Sequence, residues 1–174
     1  FMASVVAWMV GISAACTTVV TFVFGTLSDR VGKRKPFIVI GYLFWGVSTI
    51  AFGLTETIYH SLQGVAGVLM IMATVIIAAE AIMSMFGSLG NDSGFNAWTT
   101  DISDEVNRGK VTGVIAIMPV LATVVGTVGS GILIDNFGYF VFFIAMGILV
   151  MIIGVFAAIF MKDSPDLKPR KEGT

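Results

Sequence analysis

Two carboxylic acids, Glu80 and Asp92, lie within a stretch that is otherwise mostly apolar and long enough to cross a membrane. A charged side chain at membrane depth costs several kcal/mol, so it is a functional-site hypothesis by default. Asp92, Asn96 and Thr99 have the i, i+4, i+7 spacing that lines one face of a helix. Carboxylate, amide and hydroxyl groups together bind sugars, amines or cations. The candidate substrate-binding or cation-binding residues are Glu80, Asn91, Asp92, Asn96, Trp98 and Thr99.

Each of these residues also has a purely structural interpretation. Glu80 and Asp92 are twelve positions apart, which at about 100° per residue places them roughly 120° apart around an α-helix, so they need not share a face. Asp92 is alternatively a polar residue at a helix end near the headgroups. Glu80 is alternatively a protonated group that hydrogen-bonds a neighbouring helix. Trp98 would either stack on a sugar ring or lie at the membrane interface.

The composition decides the class of protein. Of the 174 residues, 56% are hydrophobic and 12% are charged, whereas about a quarter of a soluble domain is charged. The mean hydropathy is +0.95. These values exclude a water-soluble enzyme core, a disordered chain and a nucleic-acid binder. One histidine and one cysteine offer neither a nucleophile–base pair nor a metal cluster, so we expect no enzyme, no metal site and no cofactor.

The elements that must position these side chains are transmembrane helices. A helix needs roughly 20 apolar residues to cross the bilayer, and only helices or closed barrels satisfy the backbone in lipid. Residues 1–161 are predicted to form an all-α membrane bundle, with a polar tail at 162–174. The third helix is too long for one perpendicular span, so it is tilted, broken near Gly87–Gly94, or projects from the membrane. The five predicted helices are about 2–26, 36–55, 63–101, 110–133 and 138–161.

The basic residues predict the orientation. All ten fall between helices one and two, between helices three and four, or after helix five, and the other connections hold none. Because helices alternate in direction, this places every Lys and Arg on one face, which must be cytoplasmic. We expect a multi-pass protein of the cell membrane with a cytoplasmic tail. Five spans then put the first residue outside, so we expect a fragment that lacks a preceding helix.

The first basic loop runs from Gly25 to Pro36 as GTLSDRVGKRKP. Gly25 would permit close helix approach, and Asp29 would cap a neighbouring helix N-terminus. A plain positive-inside loop with a turn glycine is the alternative. The residue order nevertheless closely resembles the signature loop G-x-L-x-D-R-x-G-R/K-K of the major facilitator superfamily, which joins the second and third helices of that family.

Other segments support the same resemblance. The stretch from Asp101 to Gly109 resembles the acidic-to-Arg-Gly connection between the family's fourth and fifth helices, and residues 126–139 resemble its glycine-rich fifth helix and outer turn. The resemblance implies helices two to six of an N-terminal six-helix half. Helix one and the second half would be missing partners, and 162–174 would begin the central loop. It also implies a cytoplasmic gate made of charge contacts, with solvated surface charges as the alternative. The matching gate and signature-loop residues are the charged Asp29, Arg30, Arg34, Asp101 and Arg108 and the glycines Gly25 and Gly32.

A finer resemblance concerns the glycoside–pentoside–hexuronide:cation symporters. Pro36 and Asp101 are 65 residues apart, and Asp92 precedes Arg108 by sixteen, close to the helix-four acid of that group. The proline of that group is missing here. The implied function is part of a secondary transporter that moves a small polar solute, such as a sugar, by alternating access coupled to H⁺ or Na⁺. A non-transport interaction or scaffold module on the same fold is the alternative.

Overall fold

A computed structural model describes residues 2–164, and these residues form helices and connecting turns without a strand. The all-α class predicted from the sequence is confirmed. The elements are α1 (Met2–Val31), α2 (Lys35–Ser61), α3 (Val68–Gly90), a π-helical segment (Asn91–Phe95), α4 (Asn96–Ile102) and α5 (Arg108–Phe160).

The number of long helices is one fewer than the five predicted. Within residues 2–164, four helical stretches are long and apolar enough to cross a membrane: Ala3–Val31, Lys35–Ser61, Val68–Ile102 and Arg108–Phe160. The predicted helices 110–133 and 138–161 merge into α5, because the residues between them stay helical and only Gly138 departs, with φ 82° and ψ 169°. Essentially only glycine adopts that conformation. Gly138 therefore divides the 53-residue α5 into two arms, 108–137 and 139–160.

The third predicted helix changes its winding near its middle. It begins at Val68, later than predicted, after a turn in which Gly64 and Gly67 have positive φ. At Asn91 the α-helix gives way to five π-helical residues, which lie at the break predicted near Gly87–Gly94. A π-helical turn takes up an extra residue and is frequent at functional sites. α4 then continues to Ile102.

Helix α2 lies between α3 and the second arm of α5, and glycines make both contacts close. A Cβ added to Gly41 would come within 2.4 Å of the Gly90 backbone, and one added to Gly46 would lie 2.5 Å from the Gly147 carbonyl oxygen. Small residues at such crossings let helix backbones approach in a membrane. Gly25 makes no such contact within residues 2–164, because no described atom outside its own helical turn lies within 4 Å of its Cβ position.

The helix ends gather at two ends of the bundle. Contacts of Arg34 with Asp29, Asp101 and Asp163 unite the end of α1, the start of α2, the end of α4 and the residues after α5. We call this the basic end, and the end that carries Ser61, Val68 and Gly138 the opposite end. This arrangement agrees with alternating helix directions. Of the predicted tail, 162–164 lie at the basic end and 165–174 lie outside the described residues.

Candidate solute pocket and charged cluster

A polar pocket of about 290 Å³ lies between α1, α2, α3 and the π-helical segment. It contains both acids that the sequence analysis selected within the long third helix. Its lining residues are Thr17, Trp45, Glu80, Met83, Ser84, Gly87, Ser88, Asn91 and Asp92. We call this cavity the solute pocket.

The helix register brings Glu80 and Asp92 into one pocket although an ideal helix would separate them by roughly 120°. Four further lining residues follow Glu80 at positions i+4, i+7, i+8 and i+11, ending at Asn91, so one face of α3 supplies most of the wall. Asp92 lies beside this face in the first π-helical turn, where the winding is wider than in an α-helix.

Hydroxyl groups fix the geometry of the pocket wall. Ser84 Oγ donates to Glu80 Oε1 at 2.9 Å, so the carboxylate is held by a donor one turn away. Ser88 Oγ donates to the Thr17 carbonyl at 3.2 Å and lies 2.6 Å from Thr21 Oγ1, which ties α3 to α1. These contacts hold the carboxylate of Glu80 and the hydroxyl of Ser88 in defined positions on the pocket wall.

The far side of the pocket is built around Asn91. Its Nδ2 donates to Asp92 Oδ1 at 3.3 Å, and the Tyr42 hydroxyl lies 3.5 Å from its Oδ1. The Trp45 ring packs against Gly87, where an added Cβ would lie 3.2 Å from Trp45 Cε2. The glycine thus allows the indole to form one wall of the pocket.

The charged side chains that line the pocket are both acidic. Glu80 and Asp92 both line it, and no Lys, Arg or His is among its described lining residues. Two carboxylates in one pocket favour a bound cation, because the described lining residues supply no compensating positive charge. Within residues 2–164, no group of three His, Cys, Asp or Glu side chains is placed to hold a metal ion.

The other three predicted binding residues lie elsewhere. Asn96 is exposed, and Trp98 Nε1 donates to the Lys162 carbonyl at 2.8 Å, which joins α4 to the residues after α5. Thr99 is buried, donates to the Asn96 carbonyl at 2.8 Å and lines a separate cleft beside Arg108. The structure therefore brings Glu80, Asn91 and Asp92 together and leaves Asn96, Trp98 and Thr99 outside the pocket.

The sequence analysis did not select the serine and threonine residues that line the pocket. Ser84 and Ser88 stand four and eight residues after Glu80, so helical spacing alone carried the signal for them. Thr17 and Trp45 come from α1 and α2. No spacing within one helix predicts which residues of other helices will face it.

At the basic end, Arg34 forms the centre of a charged cluster. Its side chain is only 8% exposed, and its Nε donates to Asp101 Oδ2 at 2.8 Å. Its other guanidinium nitrogens contact Asp29 and the Ser28 hydroxyl. Burial by itself lowers the pKa of the Arg34 guanidinium, but hydrogen bonds and charges from Asp101 and Asp29 outweigh burial and raise that pKa. We call Ser28, Asp29, Arg34 and Asp101 the Arg34 cluster.

The remaining predicted gate residues take different places. Gly32 has a φ of 68° and lies in the turn just after α1, which is a conformation that favours glycine. Arg30 is exposed at the end of α1, and Arg108 is exposed at the start of α5, where it lines the cleft near Thr99. The structure thus gathers Asp29, Arg34 and Asp101, while Arg108 starts a different helix.

A carboxylate caps α2, but it is not the one expected. Asp163 Oδ1 accepts the backbone N–H groups of Arg34 and Lys35 at 2.8 and 2.9 Å. The prediction that Asp29 caps a neighbouring helix is wrong, because Asp29 pairs with the Arg34 side chain instead. Asp163 follows α5, about 130 residues away along the chain, so local sequence gave no signal for this cap.

Comparison with known proteins gives one match. The family model described as Major Facilitator Superfamily matches residues 2–174. Neither the curated proteins nor the solved structures give a match. The family match covers nearly the whole chain, and the long apolar helices with a polar pocket between them are consistent with a membrane transporter. The chain therefore belongs to the major facilitator superfamily, a family of multi-pass membrane transporters.

Proposed function

We propose that this chain supplies one half of a secondary transporter that moves a small polar solute by alternating access, with H⁺ or Na⁺ as the coupling ion. The observation that carries the proposal is the solute pocket, in which Glu80 and Asp92 meet hydroxyl groups from two helices in a volume of about 290 Å³. A site of this composition suits a solute with several hydroxyl groups accompanied by a cation. The preferred solute is a sugar, as in the cation symporters that the sequence resembles.

In this proposal the two acids have different duties. Glu80 already accepts a hydrogen bond from Ser84, so it binds and releases the coupling ion without losing its position. Asp92 is more exposed and is joined to Asn91, which places carboxylate and amide groups where solute hydroxyls would bind. The Trp45 ring offers the apolar face on which a sugar ring stacks.

The Arg34 cluster is the proposed gate at the basic end, which we assign to the cytoplasmic side from its basic loops. The cluster joins the ends of α1 and α4 through a buried guanidinium. Alternating access requires a contact that is made in one state and released in the other. A cluster that unites three helix ends but lies outside the solute pocket is suited to that role.

The test measures uptake by the full-length gene product in proteoliposomes. Radiolabelled glycoside, pentose and hexuronate are offered in turn under an imposed Na⁺ gradient and under an imposed proton gradient. We expect gradient-driven accumulation of at least one, with at least a tenfold loss in Glu80→Gln and in Asp92→Asn. Glu105→Gln is the matched control, because Glu105 is an exposed acid in the loop before α5.

Two outcomes would contradict the proposal. If neither gradient drives accumulation of any of the three solutes, the non-transport interaction module becomes the better hypothesis. If uptake occurs but Glu80→Gln and Asp92→Asn transport as well as Glu105→Gln, the solute pocket is not the transport site. Retention of uptake in Asn96→Ala would agree with the exposed position of Asn96 outside the pocket.

A further inference from the structure

A second cavity lies at the opposite end of the bundle, between α1, α2, α3 and the start of the second arm of α5. Its volume is about 450 Å³, within the range of small-molecule sites, and it shares no lining residue with the solute pocket. Most of its wall is apolar and includes Phe52, Met72, Ile76 and Phe143. The exposed side chains of Leu69 and Tyr139 also line it, so the cavity reaches the molecular surface.

One acidic side chain, Glu56, lines this otherwise apolar cavity. Its Oε2 accepts the backbone N–H of Phe140 at 2.9 Å, so Glu56 caps the second arm of α5 just after the Gly138 kink. A helix N-terminus carries the equivalent of about half a positive charge. The carboxylate therefore keeps a net negative charge, and it has roughly four acceptor positions, of which the cap uses one.

The aromatic side chains add a second feature that suits a cation. The Phe52 and Phe143 rings lie 4.9 Å apart on the cavity wall, and Tyr59 and Tyr139 line it as well. Aromatic faces attract cations, by about 0.5 to 2 kcal/mol per contact depending on solvation. No Lys, Arg or His is among the described lining residues, so no positive side chain of this lining neutralises Glu56.

We propose that this cavity binds a lipophilic organic cation, with Glu56 as the counter-charge and the aromatic and aliphatic wall holding the apolar body. A neutral molecule would gain only the apolar contacts, and an inorganic cation would gain only the charge. A ligand that combines a positive centre with apolar groups uses both. This is a second site, separate from the solute pocket and at the other end of α2 from the Arg34 cluster.

The test is equilibrium binding of radiolabelled tetraphenylphosphonium to the full-length protein in lipid nanodiscs. We expect saturable binding that unlabelled tetraphenylphosphonium displaces and its neutral analogue tetraphenylsilane does not. Glu56→Gln should weaken binding at least tenfold, because the glutamine carbonyl still accepts the Phe140 N–H while the charge is removed. Asp135→Asn is the matched control, since it removes an exposed acid near the same end without touching the cavity.

A second pair of variants tests the location. Ala73 is buried on the cavity wall, so Ala73→Leu should fill the space and weaken binding without changing any charge. Glu80→Gln should leave binding unchanged, because Glu80 lines only the solute pocket. The proposal is overturned if Glu56→Gln binds like the wild type, if tetraphenylsilane competes equally, or if Glu80→Gln abolishes binding and Glu56→Gln does not.

Discussion

Replacing Arg34 with alanine should destabilise the protein more than any other single change at the basic end. The substitution leaves Asp101 without its 2.8 Å partner, and the Asp101 side chain is only 21% exposed. Breaking a buried ion pair from one side costs about 3–5 kcal/mol, whereas an exposed pair is worth about 0–1 kcal/mol. Because Asp101 is partly exposed, we expect Arg34→Ala to lower the free energy of unfolding by about 2–4 kcal/mol. Asp29 is 50% exposed, so Asp29→Asn should cost less than about 1 kcal/mol.

The assay is reversible unfolding of the purified protein in mixed detergent micelles. Cys16 is the only cysteine of the chain and is half-buried in α1, so its alkylation rate reports unfolding. Double-mutant cycles then separate the two ion pairs. The coupling free energy between Arg34 and Asp101 should be about 1–3 kcal/mol, and that between Arg34 and Asp29 should be smaller. Arg34→Lys should restore little, because an ammonium cannot reach both carboxylates and Ser28 as the guanidinium does.

The pH dependence provides an independent check. Because the pKa of Arg34 is raised, its stabilising contribution is fully present below the ordinary arginine value and is lost only at higher pH. Raising the pH from about 7 to about 10 should therefore leave the Arg34–Asp101 coupling unchanged. A coupling free energy of Arg34 with Asp29 that exceeds its coupling with Asp101 would contradict the dominant role of the Arg34–Asp101 pair. An Arg34→Lys variant as stable as the wild type would contradict the need for a guanidinium.

Three further substitutions test the helix contacts by the same unfolding assay. Gly41→Ala should lower the free energy of unfolding by about 1–3 kcal/mol, because the new Cβ would meet the Gly90 backbone. Gly126→Ala is the control: its Cβ would meet nothing within 4 Å, so it should be neutral or stabilising by up to about 1 kcal/mol. Gly138→Ala should cost about 1–3 kcal/mol, because φ 82° with ψ 169° strains any other residue. Asp163→Ala should lower the free energy of unfolding by about 0.5–2 kcal/mol, because the α2 cap is lost. Asp163→Asn should keep most of the stability, because the asparagine carbonyl oxygen still accepts the N–H groups. Equal costs at Gly41 and Gly126, or none at Gly138 or Asp163, would contradict the corresponding contact.

The sequence predicted the parts of the fold that depend on one segment at a time. Apolar length predicted helices, because lipid leaves the backbone no other partner. The count was one too high, because the residues between the predicted helices 110–133 and 138–161, including the charged Asp135, stay helical and only Gly138 departs from helical geometry. The position of the winding change near Asn91 was predictable from a glycine-rich, overlong segment, but its π-helical form was not.

The candidate site was predicted where its residues share a helix. Glu80 and Asp92 were selected by the cost of charge at membrane depth, whether or not they shared a face. Contacts between distant segments carried no such signal. Glu56 at Phe140 and Asp163 at Arg34 join positions 84 and 129 residues apart, and each depends on packing of helices that must first be placed. Asp29 was the cap that the sequence suggested, but its carboxylate pairs with the Arg34 side chain, and the distant Asp163 accepts the N–H groups at the start of α2.

The glycine contact between α2 and the second arm of α5 has a consequence for biosynthesis. Gly46 and Gly147 are about 100 residues apart, so at roughly 5–20 residues per second the ribosome makes the second partner about 5–20 s after the first. During that interval the Gly46 face of α2 is inserted without the helix that will cover it. The glycine surface is small and carries no charge, so its exposure to lipid or to an insertase during this interval costs little free energy. This close contact is therefore made by the last helix of residues 2–164 to leave the ribosome, and slowing translation between its two partners should not impair assembly.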